Sequence, residues 1–161
     1  MKKIIFGALL ITVTFILSGC SENSTSAPFK LSKEEQSAYE ELKKDLDERH
    51  IKDLSPISIA KIYVQSRYDN HHDVQYVLYT DRDGYIQWTY EEDKKIPTRD
   101  RGTKEHIVNL FTNIDKGEFI QTSDFEGYIK YPSKEDPNHS FGFMMIKDED
   151  EVWNVSFMPI Q

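Results

Sequence analysis

The chain has 161 residues, 38% of them hydrophobic and 30% charged, with 20 basic against 28 acidic side chains and a net charge of −8. That balance supplies apolar material for one packed domain. It excludes a disordered chain and a surface built on clustered Lys and Arg for nucleic acid. A single cysteine excludes an intramolecular disulfide, so stability must come from packing.

Lys2 and Lys3 precede an apolar run from Ile4 to Leu17, which ends in Leu17-Ser18-Gly19-Cys20. A positive start, a short apolar centre and small residues before a cut are the layout of a secretory signal. The run is shorter than the roughly 20 residues that cross a bilayer. It meets the polar stretch Ser21-Glu22-Asn23-Ser24-Thr25-Ser26, where a membrane anchor would more usually meet Lys or Arg.

Leu17-Ser18-Gly19-Cys20 resembles the lipobox of bacterial lipoproteins. The resemblance implies cleavage between Gly19 and Cys20, and a diacylglycerol, palmitate-type anchor on the Cys20 thiol. It places the mature protein at the cell membrane, lipid-anchored and facing the extracytoplasmic side. Two or three acyl chains, at about 0.8 kcal/mol per buried CH2, hold a protein far better than one. Removing residues 1–19 takes two basic side chains and no acidic one, so 18 remain against 28 and the net charge becomes −10.

Residues 20–30 then read as the lipidated cysteine and a flexible tether, rich in Ser, Thr and Asn and ending near Pro28. Residues 31–52 form a charged amphipathic helix that opens on the capping box Ser32-Lys33-Glu34-Glu35 and carries Tyr39, Leu42 and Leu46 on a narrow face. An α+β domain occupies residues 53–161. Its first helix starts at Ser55-Pro56, with Ile59, Ala60, Tyr63 and Val64 at helical spacing, and Asp69-Asn70 interrupts it. A short helix over residues 73–79 follows.

From Tyr85 the pattern alternates, with Ile86, Trp88 and Tyr90 on one side, which predicts a strand after the Asp83-Gly84 turn. Thr103 caps a helix carrying Ile107, Leu110, Phe111 and Ile114, closed by Gly117. Residues 118–131 read as one long strand bent at Gly127. Residues 140–147 and 152–159 read as a hairpin with Trp153, Val155 and Phe157 alternating, and the charge run at 147–151 as its solvated turn. The predicted class is α+β, with N-terminal helices packed on a curved antiparallel sheet.

This order resembles the nuclear transport factor 2-like superfamily of cone-shaped domains over roughly residues 54–160. The resemblance rests on the broken helix at 55–68 and 73–79, the strand with Trp88, and the terminal strands at 141–145 and 153–157. A cystatin-like fold is the alternative. The superfamily implies a pocket where the sheet wraps the helices, with Tyr63, Trp88, Phe143 and Trp153 as its lining; the favoured reading of the same four side chains is that they fill the core. Its catalytic members, ketosteroid isomerases and polyketide cyclases, place an Asp or a His-Asp pair inside the cone, and no position here matches such a motif.

Metal and nucleophile chemistry find little support. His71-His72-Asp73 supplies ligand types for zinc or copper, but adjacent side chains point apart and no HxxxH or HxH spacing accompanies them. His50, His106 and His139 are isolated. Glu91-Glu92-Asp93, with Asp81 and Asp83, lacks the spaced loop and glycine of a calcium hand. There is no Gly-x-Ser-x-Gly elbow, and seven glycines leave no phosphate-binding loop. No metal site and no cofactor is expected. The expected function is a non-catalytic binding domain for a protein partner or a small apolar ligand, using the cone pocket or a sheet face with Gln121, Ser123 and Tyr128. The alternatives are a small pocket enzyme of isomerase or cyclase type, and an accessory subunit of a cell-envelope complex docking through residues 32–52.

Overall fold

The computed structural model describes residues 26–160. Among them, no helix is long and apolar enough to cross a membrane. Helix α1 (Lys33–Asp45) opens on a complete capping box: Ser32 Oγ accepts from the Glu35 N–H at 3.1 Å, and Glu35 Oε2 accepts from the Ser32 N–H at 2.7 Å. It stops short of Lys52, because Leu46 turns left-handed at φ 57° and a separate 3-10 turn, Glu48–His50, follows. Tyr39 and Leu42 are buried against the rest of the molecule, so α1 belongs to the same core as the helices after it.

Helix α2 (Pro56–Asp69) starts where Ser55 Oγ accepts from the Ser58 N–H, and ends at Asn70, left-handed at φ 61°. Ile59, Ala60, Ile62, Tyr63, Val64 and Ser66 are all buried, so α2 is covered on several sides, as a central helix must be. Helix α3 (His72–Val77) continues after the elbow at Asn70-His71. Helix α4 (Tyr90–Asp93) and helix α5 (Lys104–Phe111) carry side-chain caps from Thr89 and Thr103.

The sheet is a four-stranded antiparallel meander, β1 (Glu118–Gln121), β2 (Glu126–Pro132), β3 (Ser140–Lys147) and β4 (Trp153–Ile160), in the order β1-β2-β3-β4. Ile129 pairs with Phe143, and Met145 with Val155. Val155 and Ile160 of β4 flank the stretch opposite Met145 and Phe143 of β3, so β4 carries extra residues there. Met158, at φ 55°, is the exposed apex of that bulge, which bends the sheet around the helices. The fold is therefore the expected α+β layer of helices on a curved antiparallel sheet, with Tyr63, Phe111, Ile129, Phe143 and Val155 meeting at its centre.

Two expected strands differ. Residues 85–90 form no strand; the isolated bridge nearest them, Tyr79 to Val155, lies before the segment. The alternation there serves aromatic contact: Trp88 meets Phe157 edge-on at 4.7 Å, Tyr90 meets Tyr76 at 5.1 Å, and Ile86 stays exposed. Residues 118–131 are two strands joined by a turn. Ser123 Oγ accepts from the Glu126 N–H at 3.0 Å and closes that turn, while Gly127 pairs with Gln121 across the ladder.

Candidate functional site

The interior expected to hold a pocket is filled. Tyr63 and Phe143 are 1% and 0% exposed and meet at 5.6 Å in a T-shaped contact. Trp88 is half-buried against Tyr79 and Phe157, and Trp153 packs separately on Phe119 at 4.8 Å. The structure thus brings Tyr63 and Phe143 together, links Trp88 to Tyr63 through Tyr79, and leaves Trp153 in a contact of its own. The phenols at the centre bond one another. The Tyr63 and Tyr79 hydroxyls lie 3.0 Å apart, and Gln75 Nε2 donates to Tyr79 Oη at 3.0 Å. Burial raises the Tyr79 phenol well above its ordinary value, so it stays neutral.

An open concavity lies elsewhere, on the helical side. A cleft of about 520 Å³ opens between the last turn of α1, the α2–α3 elbow and the loop at 94–101. Leu46, Val74 and Ile96 contribute its apolar surface. Lys43, Lys44, Lys94 and Arg101 border it against two acidic neighbours, Asp45 and Asp73. Four of the lining side chains are thus basic, each in an ion pair with an acidic neighbour.

Each wall is built by local chemistry. Leu46 ends α1 in a left-handed turn, which leaves Lys43 and Lys44 on its final turn beside the cleft. Asn70 ends α2 the same way, and its N–H donates to the Arg67 and Ser66 carbonyls. Asn is among the few residues other than Gly that take this conformation readily. The third wall is held by a buried ion pair. Arg101 Nη2 donates to Asp93 Oδ2 at 2.8 Å and also to the Asp93 carbonyl, and Arg101 Nε reaches the Ile96 carbonyl at 3.3 Å. Trp88 Nε1 donates to the other Asp93 carboxylate oxygen at 3.0 Å.

His71, His72 and Asp73 part company, as adjacent side chains do. The His71 ring meets Tyr39 edge-on at 6.0 Å, and Asp73 accepts from the Tyr90 hydroxyl at 2.8 Å. Both ring nitrogens of His72 are shielded and without a hydrogen-bond partner. Burial first, and then the Arg101 charge, lower the His72 pKa, so the imidazole is neutral at neutral pH. Among the described residues, no three His, Cys, Asp or Glu side chains are grouped as a metal ion requires.

The lysines are held loosely. Lys43 pairs with Glu40 at 2.7 Å, Lys44 with Glu41 at 2.7 Å and Lys94 with Glu91 at 3.2 Å, all near the surface. Solvent screens such exposed pairs, so an incoming anion competes for these ammonium groups at little cost. Nothing in the sequence singles out this cleft. Its basic residues come from positions 43–44, 94 and 101, and no periodicity connects them. Cys20 and Gly19 lie outside the described residues.

Comparison of the chain with protein-family models, with curated proteins and with solved structures finds no match.

Proposed function

We propose that this protein is a membrane-anchored extracytoplasmic binding module, tethered through acylated Cys20, whose helical-side cleft captures an acidic segment of a protein partner. The observation that carries the reading is a filled interior beside an open, basic-edged cleft. A small apolar ligand needs an enclosed apolar pocket. The cleft instead offers cations around a modest apolar floor, which suits a chain segment with carboxylates flanking an aliphatic side chain. Anchoring contributes by raising the local concentration of the module for partners at the same membrane.

Crosslinking on intact cells tests the cleft. The full chain should capture a partner, and K43E/K44E/K94E should lose most of that capture while keeping its unfolding midpoint. Undiminished capture by the triple variant sinks the cleft reading. Labelling with a tagged fatty acid tests the anchor separately: wild type should be marked and Cys20→Ser should not.

A further inference from the structure

The wall of the cleft holds a titratable side chain that makes no hydrogen bond. His72 opens α3 just past the Asn70-His71 elbow, where it lines the cleft with Val74, Ile96 and Arg101. Both of its ring nitrogens are shielded from solvent and neither has a partner. A neutral imidazole carries one N–H and one lone pair, whereas an imidazolium carries two N–H donors that both need acceptors. The acceptors around the ring therefore decide which form this wall admits.

Each carboxylate on the neighbouring elements is already committed. Asp73, the next residue of α3, accepts from the Tyr90 hydroxyl at 2.8 Å. Asp93, which ends α4, accepts from Arg101 Nη2 at 2.8 Å and from Trp88 Nε1 at 3.0 Å. Asp45, which ends α1, is bound to His50 at 3.0 Å. On α2, Asp69 accepts from the Tyr39 hydroxyl and Gln65, and Arg67 donates to the Arg101 carbonyl. Lys43, Lys44 and Lys94 offer no acceptor, and His71 turns to Tyr39. What remains is Gln75, one turn along α3 and 7% exposed. Its Nε2 donates to the Tyr79 hydroxyl at 3.0 Å, while its Oε1 has no partner. One free carboxamide oxygen serves one ring N–H. A second N–H, on a ring now charged and repelled by Arg101, has nothing to meet.

We propose that His72 is a proton-sensitive hinge: its neutral ring lets the α2–α3 elbow close against the 94–101 loop, and its protonation opens that wall of the cleft. A charged ring without acceptors is driven toward water, and the cleft on which His72 borders is its route. Its movement draws the start of α3 away from the loop, together with Val74 and its share of the apolar floor. Burial, and then the Arg101 charge, lower His72 from its ordinary 6.5, with the Gln75 carboxamide acting against them. The closed wall is thus the resting form at neutral pH, and mild acid opens it. Release of an acidic partner on opening rests on the cleft reading; the hinge itself does not.

Urea unfolding of the full chain between about pH 7.5 and 5, compared with His72→Phe, tests the hinge. A base lowered in the folded state gives stability that is present above its unfolded value, near 6.5, and lost as pH falls through its folded one. The phenyl ring of the variant keeps the shape and takes no proton. Wild type should therefore lose folding equilibrium constant relative to His72→Phe as pH falls across this range. A difference between the two proteins that does not change with pH overturns the hinge. In wild type alone, nitrogen-detected titration should place the His72 inflection below that of exposed histidines. Amide exchange within 72–77 and 94–101, corrected for the intrinsic effect of pH, should quicken across that inflection. An ordinary histidine inflection, or exchange that ignores it, is equally fatal. Capture on intact cells should weaken in mild acid for wild type and lose that pH dependence in His72→Phe. Capture indifferent to pH, with the stability and exchange results intact, would remove the partner release and leave the hinge standing.

Discussion

The ring of Phe119 lies across Gly127: a Cβ on Gly127 would stand 2.6 Å from Phe119 Cζ and 3.0 Å from the Ile120 carbonyl oxygen. The glycine here supplies space, and the aromatic ring on the neighbouring strand fills it. Phe119 then continues into contact with Trp153. A two-stranded edge hairpin is thereby tied to the last strand of the sheet.

Gly127→Ala should destabilise the protein by about 1–3 kcal/mol, the usual cost of overpacking. Urea midpoints of Gly127→Ala, Phe119→Leu and the double variant form a cycle. The double variant should recover part of the loss, because a smaller side chain at 119 vacates the space that the new methyl needs. Strict additivity would show that the ring and the glycine do not interact.

The Arg101–Asp93 pair is shielded, with side chains 8% and 3% exposed. Arg101→Met should cost about 3–5 kcal/mol, since it leaves Asp93 buried without its cation. Arg101→Met with Asp93→Asn should be less damaging than Arg101→Met alone. Thermal unfolding of the three variants checks the order, and protease cutting within 94–101 should rise in step with the loss.

Glu35 joins the capping box of α1 to Lys61 on α2, with side chains 7% and 12% exposed at the ion pair. Burial raises the Glu35 carboxyl, but Lys61 and the Ser32 N–H outweigh it and hold the group below its ordinary value. Stability from this site is present above the unfolded value and is lost as pH falls through the folded one. Glu35→Gln should therefore cost about 2–3 kcal/mol at pH 7 and progressively less below pH 4. A loss that persists unchanged at pH 3 would assign the effect to packing instead.

Asn70 occupies the left-handed position that separates α2 from α3. Asn70→Gly should be nearly neutral and Asn70→Ala should cost about 1 kcal/mol, because a Cβ without a compensating polar group is disfavoured there. Paired denaturation curves decide it. Equal losses for both would point to the Asn side chain in place of the backbone angle.

The helix starts are legible in the sequence because their chemistry is local. Ser32, Ser55 and Thr103 each bond an N–H three residues on, within reach of any short segment. The α+β order is legible for the same reason, from periodicity within each element. The 85–90 segment departs from its strand pattern because its alternation answers to Phe157, Tyr76 and Tyr79, which only the folded chain brings near. Gly127 reads in sequence as a bend in one strand. Its true setting depends on Phe119, eight positions earlier but adjacent across the hairpin.

By itself, the sequence determined the lipobox-like stretch at Cys20, the acidic balance, the capped helices and the absence of familiar catalytic motifs. These are properties of contiguous residues or of totals, which need no folding to express. Tertiary structure decided the rest. It closed the interior around Tyr63 and Phe143, set Lys43, Lys94 and Arg101 around one cleft, and shielded both ring nitrogens of His72 in its wall. Charge and shape at such sites arise from side chains tens of residues apart, and their proximity depends on how the helices settle on the sheet.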